Sequence, residues 1–197
     1  MHQYFVMLKD NARAITNTKV IVGVAMFCAL EVILDMFNIY LAPTLRITFG
    51  FLATAASCYF YGPYPNMIAG LIMDFIGYAM HPDGPYFPGY ALNAILLAFI
   101  FSSFFYEQPV KVWRVLVARL LVVLINYLFL NSLWMSIMYG DSFFVLVGAR
   151  LLKNVIMFPI DCTMLYLLLR RLVVITLIRK SRARLRIEGR GSPGAWS

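Results

Sequence analysis

Long apolar runs, unbroken by the polar alternation of a half-buried strand, constrain this chain more than any other feature. They lie near Thr18–Phe37, Ile47–Tyr61, Pro65–Met80, Pro88–Tyr106, Val112–Met138 and Phe144–Ile178. A helix needs about 20 apolar residues to cross roughly 30 Å of hydrocarbon. The runs therefore predict an all-α integral membrane bundle of six transmembrane helices. The second and third are short, and Gly62-Pro63-Tyr64-Pro65 interrupts the apolar pattern between them. The sixth is long enough to tilt or to project into water. Only 13% of the residues are charged against 62% hydrophobic, too little charge to clothe a soluble domain.

The net charge of +8 does not point to nucleic acid, because the basic residues stand at the ends of apolar runs and in the tail Arg170–Arg186. That placement reads as topology signal and contact with anionic membrane lipids. Lys9, Arg13 and Lys19 precede the first run, Lys111 and Arg114 flank the fifth, and Arg179, Lys180, Arg182, Arg184 and Arg186 follow the sixth. An even number of spans puts all three groups on one side, so both termini are expected in the cytoplasm. Asn38–Leu45, His81–Phe87 and Tyr139–Ser142 are then outside. The stretch His-Pro-Asp-Gly-Pro-Tyr-Phe-Pro-Gly is expected to be a shaped loop, either a tight connector or a lid over an outward pocket. The first residues lack the apolar core and cleavage site of a signal peptide. Residues 1–186 are expected to form one domain, and 187–197 resemble a protease site and tag remnant.

Charged groups inside a span are costly and tend to face the bundle interior. The third span carries Asn66, Gly70, Asp74 and Gly77 on one helical face. Asp74 would accept hydrogen bonds from a planar ligand's N–H groups, or from a neighbouring helix. The sixth carries Arg150, Asn154, Met157 and Asp161 on one face, with Lys153 beside Arg150. Arg150 and Lys153 lie near the outer end, suited to a carboxylate or to lipid headgroups. The fifth carries Tyr127, Asn131 and Trp134 on one face, with Asn126 a step around. Trp134 would serve as a stacking platform or as an interfacial anchor. Arg119, nearer the inner end, is expected to snorkel. On the first span, Ala25 and Ala29 form a small-xxx-small pair, while Glu31 and Asp35 share another face.

Other chemistries lack support. Cys28, Cys58 and Cys162 are isolated within apolar runs, without disulfide or zinc spacing. There is no phosphate-binding G-x-x-x-x-G-K-[ST] loop, zinc-binding H-E-x-x-H helix or G-x-S-x-G nucleophile turn. Asp74 and Asp161 remain a conceivable intramembrane dyad, without the Gly-x-Gly-Asp context such enzymes use.

A series of motifs resembles one family. These are Arg46-Ile47-Thr48-Phe49-Gly50-Phe51-Leu52, Gly62-Pro63, Gly70-Leu71-Ile72-Met73-Asp74-Phe75-Ile76-Gly77 and Tyr86-Phe87-Pro88-Gly89. Asn131-Ser132-Leu133-Trp134, Ala149-Arg150-Leu151-Leu152-Lys153-Asn154 and Pro159-Ile160 complete it. In order and spacing they are similar to the folate-type substrate-binding S components of energy-coupling-factor vitamin transporters. The resemblance implies a protein of the bacterial cytoplasmic membrane that binds folate from outside. Asp74, Asn131 and Asn154 would read the pterin, Tyr86, Phe87 and Trp134 would stack, and Pro88 would shape the loop. Arg46, Arg150 and Lys153 would hold carboxylates. Ala25 and Ala29 would dock a separate transmembrane coupling protein, powered by two ATPase subunits. Folate is expected as cargo, with no cofactor or metal. An S component for thiamin, riboflavin or another pterin, an intramembrane enzyme, and a self-contained transporter are the rival readings. No internal repeat supports the last.

Overall fold

The computed structural model describes residues 14–37, 39–42, 45–47, 49–80, 86–140 and 142–188. Side chains are described for 15–37, 49–80, 86–140 and 142–178, apart from Ala149 and Leu177. Lys9, Arg13, most of the 81–87 loop, the side chains of the basic tail beyond 178 and the tag-like 189–197 lie outside the described residues.

Among the described residues, six helical rods correspond to the six apolar runs. A short 3₁₀ turn, Ala14–Thr16, leads to α1, Thr18–Met36, whose Asn17 cap accepts from the Lys19 N–H at 3.0 Å. Then come α2, Gly50–Tyr61, and α3, Pro63–Met80. Next are α4, Gly89–Phe105, α5, Val112–Tyr139, and α6, Phe143–Glu188. The break between α2 and α3 is a single residue. Gly62 adopts φ 76° and ψ −170°, a conformation essentially reserved for glycine. Pro63 and Pro65 then occupy the first turn of α3, where no N–H partner is needed.

The expected outside connection after α1 contains a short hairpin. There β1, Ile39–Ala42, pairs antiparallel with β2, Leu45–Ile47, placing Ile39 opposite Ile47 and Tyr40 opposite Arg46. The strand-favouring Ile39, Tyr40 and Ile47 make this possible, in stretches too short to register as a periodic pattern. It also moves the start of α2 from Ile47 to Gly50.

The core is built where α2, α4, α5 and α6 meet. Phe51 and Cys58 pack there with Phe101 and Phe105, Val115 and Val122, and Leu165 and Leu169. The exterior is equally apolar. Phe75 is 62% exposed and Phe144 83%, whereas Arg119, Asn126, Ser132 and Asp161 are buried. Polar groups inside and large apolar ones outside is the pattern of a chain solvated by lipid. Among the described residues, two rods, Val112–Tyr139 and Phe143–Thr176, are long and apolar enough to cross a membrane by length and composition. At 12 residues, α2 is about 18 Å long and falls short of a full crossing.

Candidate ligand-binding site

Alternating helix direction brings the carboxyl-terminal ends of α1, α3 and α5 to the amino-terminal ends of α2, α4 and α6. Cross-helix contacts tie that end together. The Gly50 N–H at the start of α2 donates to Asp35 Oδ1 near the end of α1, at 3.1 Å. The Tyr86 hydroxyl, just before α4, donates to Asp74 Oδ2 of α3 at 3.1 Å. Loss of hydration, and then the Asp74 carboxylate, hold that hydroxyl above its ordinary pKa.

Aromatic rings pave this end. Tyr86 meets Phe75 and Tyr78 edge-on, with centroids 5.9 and 5.2 Å away. Phe87 lies 5.4 Å from Trp134 of α5. Directly beneath stands Gly89, where a Cβ would lie 2.4 Å from the Phe87 ring and 2.7 Å from the Trp134 indole. Pro88 occupies the cap position of α4 at φ −65°. The indole N–H of Trp134 donates to Asn93 Oδ1 at 3.1 Å, and Asn126 donates to the Asn93 carbonyl at 2.8 Å. Asn93 thus joins α4 to α5 at two points. It escaped the sequence reading, although a lone amide in the apolar α4, one turn past Gly89, was the available signal.

The fifth rod corrects the expected face. Residues Val122–Leu130 form a π-helical stretch between α-helical ends, and its wider turn rotates the side chains. Asn126, not Tyr127, therefore joins Trp134 in contacting Asn93. The Tyr127 carbonyl instead receives Arg150 of α6 at 3.4 Å, and the Tyr127 ring lies 5.5 Å from the Arg119 guanidinium. Arg119 does not snorkel. It is 4% exposed and forms an ion pair with Asp161 of α6. Burial between packed helices makes that pairing more favourable than reaching for water. Asp74 and Asp161 consequently have different partners and form no dyad.

Arg150 also reaches the Met135 sulfur, and its carbonyl accepts from Asn154 at 2.9 Å. Among the described residues it pairs with no carboxylate. Lys153 and Asn131 are half-buried at the same end. Arg46 is on β2, and its side chain lies outside the described residues.

A cavity of about 380 Å³ opens between α1, α2, α3 and α4. Glu31, Asp35, Thr54 and Ser57 line it, together with the α3 face Asn66, Gly70, Asp74 and Gly77. Asn66 is already engaged, accepting from Ser57 at 2.5 Å and donating to the Gly62 carbonyl at 2.6 Å. Trp134, Arg150, Lys153 and Asn154 are not part of its wall. The candidate residues therefore form a carboxylate-rich cavity on one side and an aromatic and cationic cluster on the other. Asp74 and Tyr86 stand between them.

On the outer surface of α1, Ala25 and Ala29 are exposed amid Ile21, Met26 and Ile33. The inward small residue is Gly23, where a Cβ would collide with the Tyr61 hydroxyl.

Comparison with known proteins agrees with the motif series. Residues 19–169 match the family described as ECF transporter, substrate-specific component. Over 150 residues the chain is 36% identical to the folate transporter FolT of Clostridium novyi, covering 76% of this chain and 87% of that one. It is 34% identical over 164 residues to the folate transporter FolT of Leuconostoc mesenteroides, covering 80% and 88%. A crystal structure of FolT bound with folic acid superposes with a TM-score of 0.70 at 33% identity, covering 79% of this chain and 95% of that one. The chain belongs to the substrate-specific components of ECF transporters, and is a membrane transport protein and not an enzyme.

Proposed function

We propose that this chain is the folate-binding component of an energy-coupling-factor importer in the bacterial cytoplasmic membrane. The six rods cross the bilayer with both termini in the cytoplasm. The short α2 spans only in concert with α3 and the hairpin. Ligand enters at the end carrying Asp74, Trp134 and Arg150.

Folate joins a flat pterin rich in donors and acceptors, an aromatic spacer and a dianionic glutamate. Asp74 accepts from the pterin amino and ring N–H groups, and Asn131 and Asn154 complete its polar edge. Phe87 and Trp134 stack on the rings, Tyr86 closes over them, and Pro88 fixes the approach of that segment. Arg150, Lys153 and Arg46 hold the carboxylates. The observation that carries this reading is the 36% identity to a folate transporter, joined to an Arg150 that pairs with no carboxylate among the described residues. Delivery requires no chemistry in this chain. The exposed Ala25–Ala29 surface docks a transmembrane coupling protein, and two ATPase subunits drive the loaded bundle to tilt in the membrane.

The test is titration of folate into detergent-purified protein, with thiamin and riboflavin as competitors. A charge-assisted hydrogen bond is worth about 1.5–3 kcal/mol, so Arg150→Ala should weaken folate about 10- to 150-fold. Asp74→Asn should weaken it comparably. Unchanged affinity in both variants ends the site assignment, and preference for a competitor ends the folate reading.

A further inference from the structure

The ion pair between Arg119 and Asp161 is left without a task by the ligand reading. It lies deep in the bundle, and the Arg119 guanidinium is set 4.6 Å from the Phe51 ring of α2 and 5.5 Å from the Tyr127 ring of α5. Its Nε and Nη1 find no hydrogen-bond partner among the described residues, so the pair is incompletely compensated for its burial. Ionisable groups in such positions usually carry function.

Its placement indicates which one. Asp161 and Arg150 are 11 residues apart on the same face of α6, about 16 Å along the axis. Each is tied to α5, Asp161 through Arg119 and Arg150 through the Tyr127 carbonyl and Met135. The π-helical stretch Val122–Leu130 starts after the Arg119 tie and contains Tyr127, one of the two points of the Arg150 tie, in a register that backbone hydrogen bonding alone does not favour. Arg119 stands three residues before that stretch, and its guanidinium faces the ring of Tyr127 within it. The pair therefore sets the rotation and height at which α5 meets α6, and with them the carbonyl that aims Arg150.

We infer that Arg119 and Asp161 are positioning residues that hold Arg150 ready for a ligand carboxylate. This rests on Arg150 being the carboxylate partner proposed above. Neither residue touches ligand. Their effect falls on the anionic end of the ligand and leaves the ring system alone.

The experiment compares folate with pteroamide, the uncharged primary amide of pteroate, which has the same rings and no carboxylate, on purified full-length protein. Arg150→Ala is measured first and should abolish most of the preference for folate. The double variant Arg119→Met/Asp161→Leu removes both charges together, a replacement that buried pairs commonly tolerate. It should melt near the wild-type temperature and bind pteroamide within about twofold of wild type. Its affinity for folate should fall about tenfold, in line with one lost charge-assisted contact. Arg119→Lys keeps the charge without the planar fork, and should lose part of the preference. Where the double variant fails to fold, Arg119→Lys decides. A full folate preference in either folded variant overturns the inference, as does equal loss of both ligands. If Arg150→Ala itself keeps the preference, the assignment of Arg150 fails and the inference falls with it.

Discussion

Gly89→Ala adds a single methyl group where two considerations of opposite sign meet. Alanine is favoured over glycine inside a helix by about 1 kcal/mol, which is the upper limit at Gly89, the first residue of α4. The new Cβ, however, would lie 2.4 Å from the Phe87 ring and 2.7 Å from the Trp134 indole, closer than non-bonded atoms approach. Neither ring yields freely. The indole N–H is held by Asn93 at 3.1 Å, and Phe87 is flanked by Trp134 and Tyr90. Retreat of the indole gives up that hydrogen bond, about 0.5–1.5 kcal/mol, and the ring pairing, about another 0.5–1.5 kcal/mol. Their sum, about 1–3 kcal/mol, matches or exceeds the propensity gain, so the platform shifts, and the binding energy at stake is that of a ring stacked on it, about 1–3 kcal/mol. That corresponds to roughly 5- to 150-fold weaker folate binding. Intrinsic tryptophan fluorescence during folate titration reads both effects at once, through altered Trp134 emission and a higher Kd. Wild-type emission and wild-type affinity in Gly89→Ala would refute the reasoning, since the methyl group has nowhere else to go.

Further outcomes follow from other positions. Gly62→Ala forces a side chain onto a backbone at φ 76° and ψ −170°, and should cost about 1–3 kcal/mol, read as a lower melting temperature in detergent. Replacing Ala25 and Ala29 by tryptophan should abolish folate uptake by cells while leaving binding to the purified chain intact; normal uptake would remove the docking role. Asn93→Leu loses the acceptor for the Trp134 indole, whereas Asn93→Asp keeps one. The leucine variant alone should blue-shift Trp134 emission and weaken folate about 3- to 10-fold.

The six rods were legible because the composition of an apolar run, its length and its flanking charge are local properties. Gly62 and the prolines beside it announced the α2–α3 break for the same reason. The α3 face of Asn66, Gly70, Asp74 and Gly77 followed from helical periodicity, and all four residues line one cavity. What periodicity could not supply was any event that changes the period. The π-helical stretch in α5 exchanged the roles of Asn126 and Tyr127, and a heptad count had no means of detecting it. Arg119 shows the same limit, because its distance from Asp161 in sequence is 42 residues and no local pattern joins them.

The amino-acid sequence by itself settled the solvent of this protein, the number of its helical rods and its family, because each depends on residue types and their spacing along one chain. Only the tertiary structure decided which polar groups neutralise one another and which stay available. Asn66 is occupied by Ser57 and Asp161 by Arg119, while Arg150 is left without a carboxylate among the described residues. Pairing within lipid is a competition among all buried charges at once, and its winners emerge only when the helices are packed.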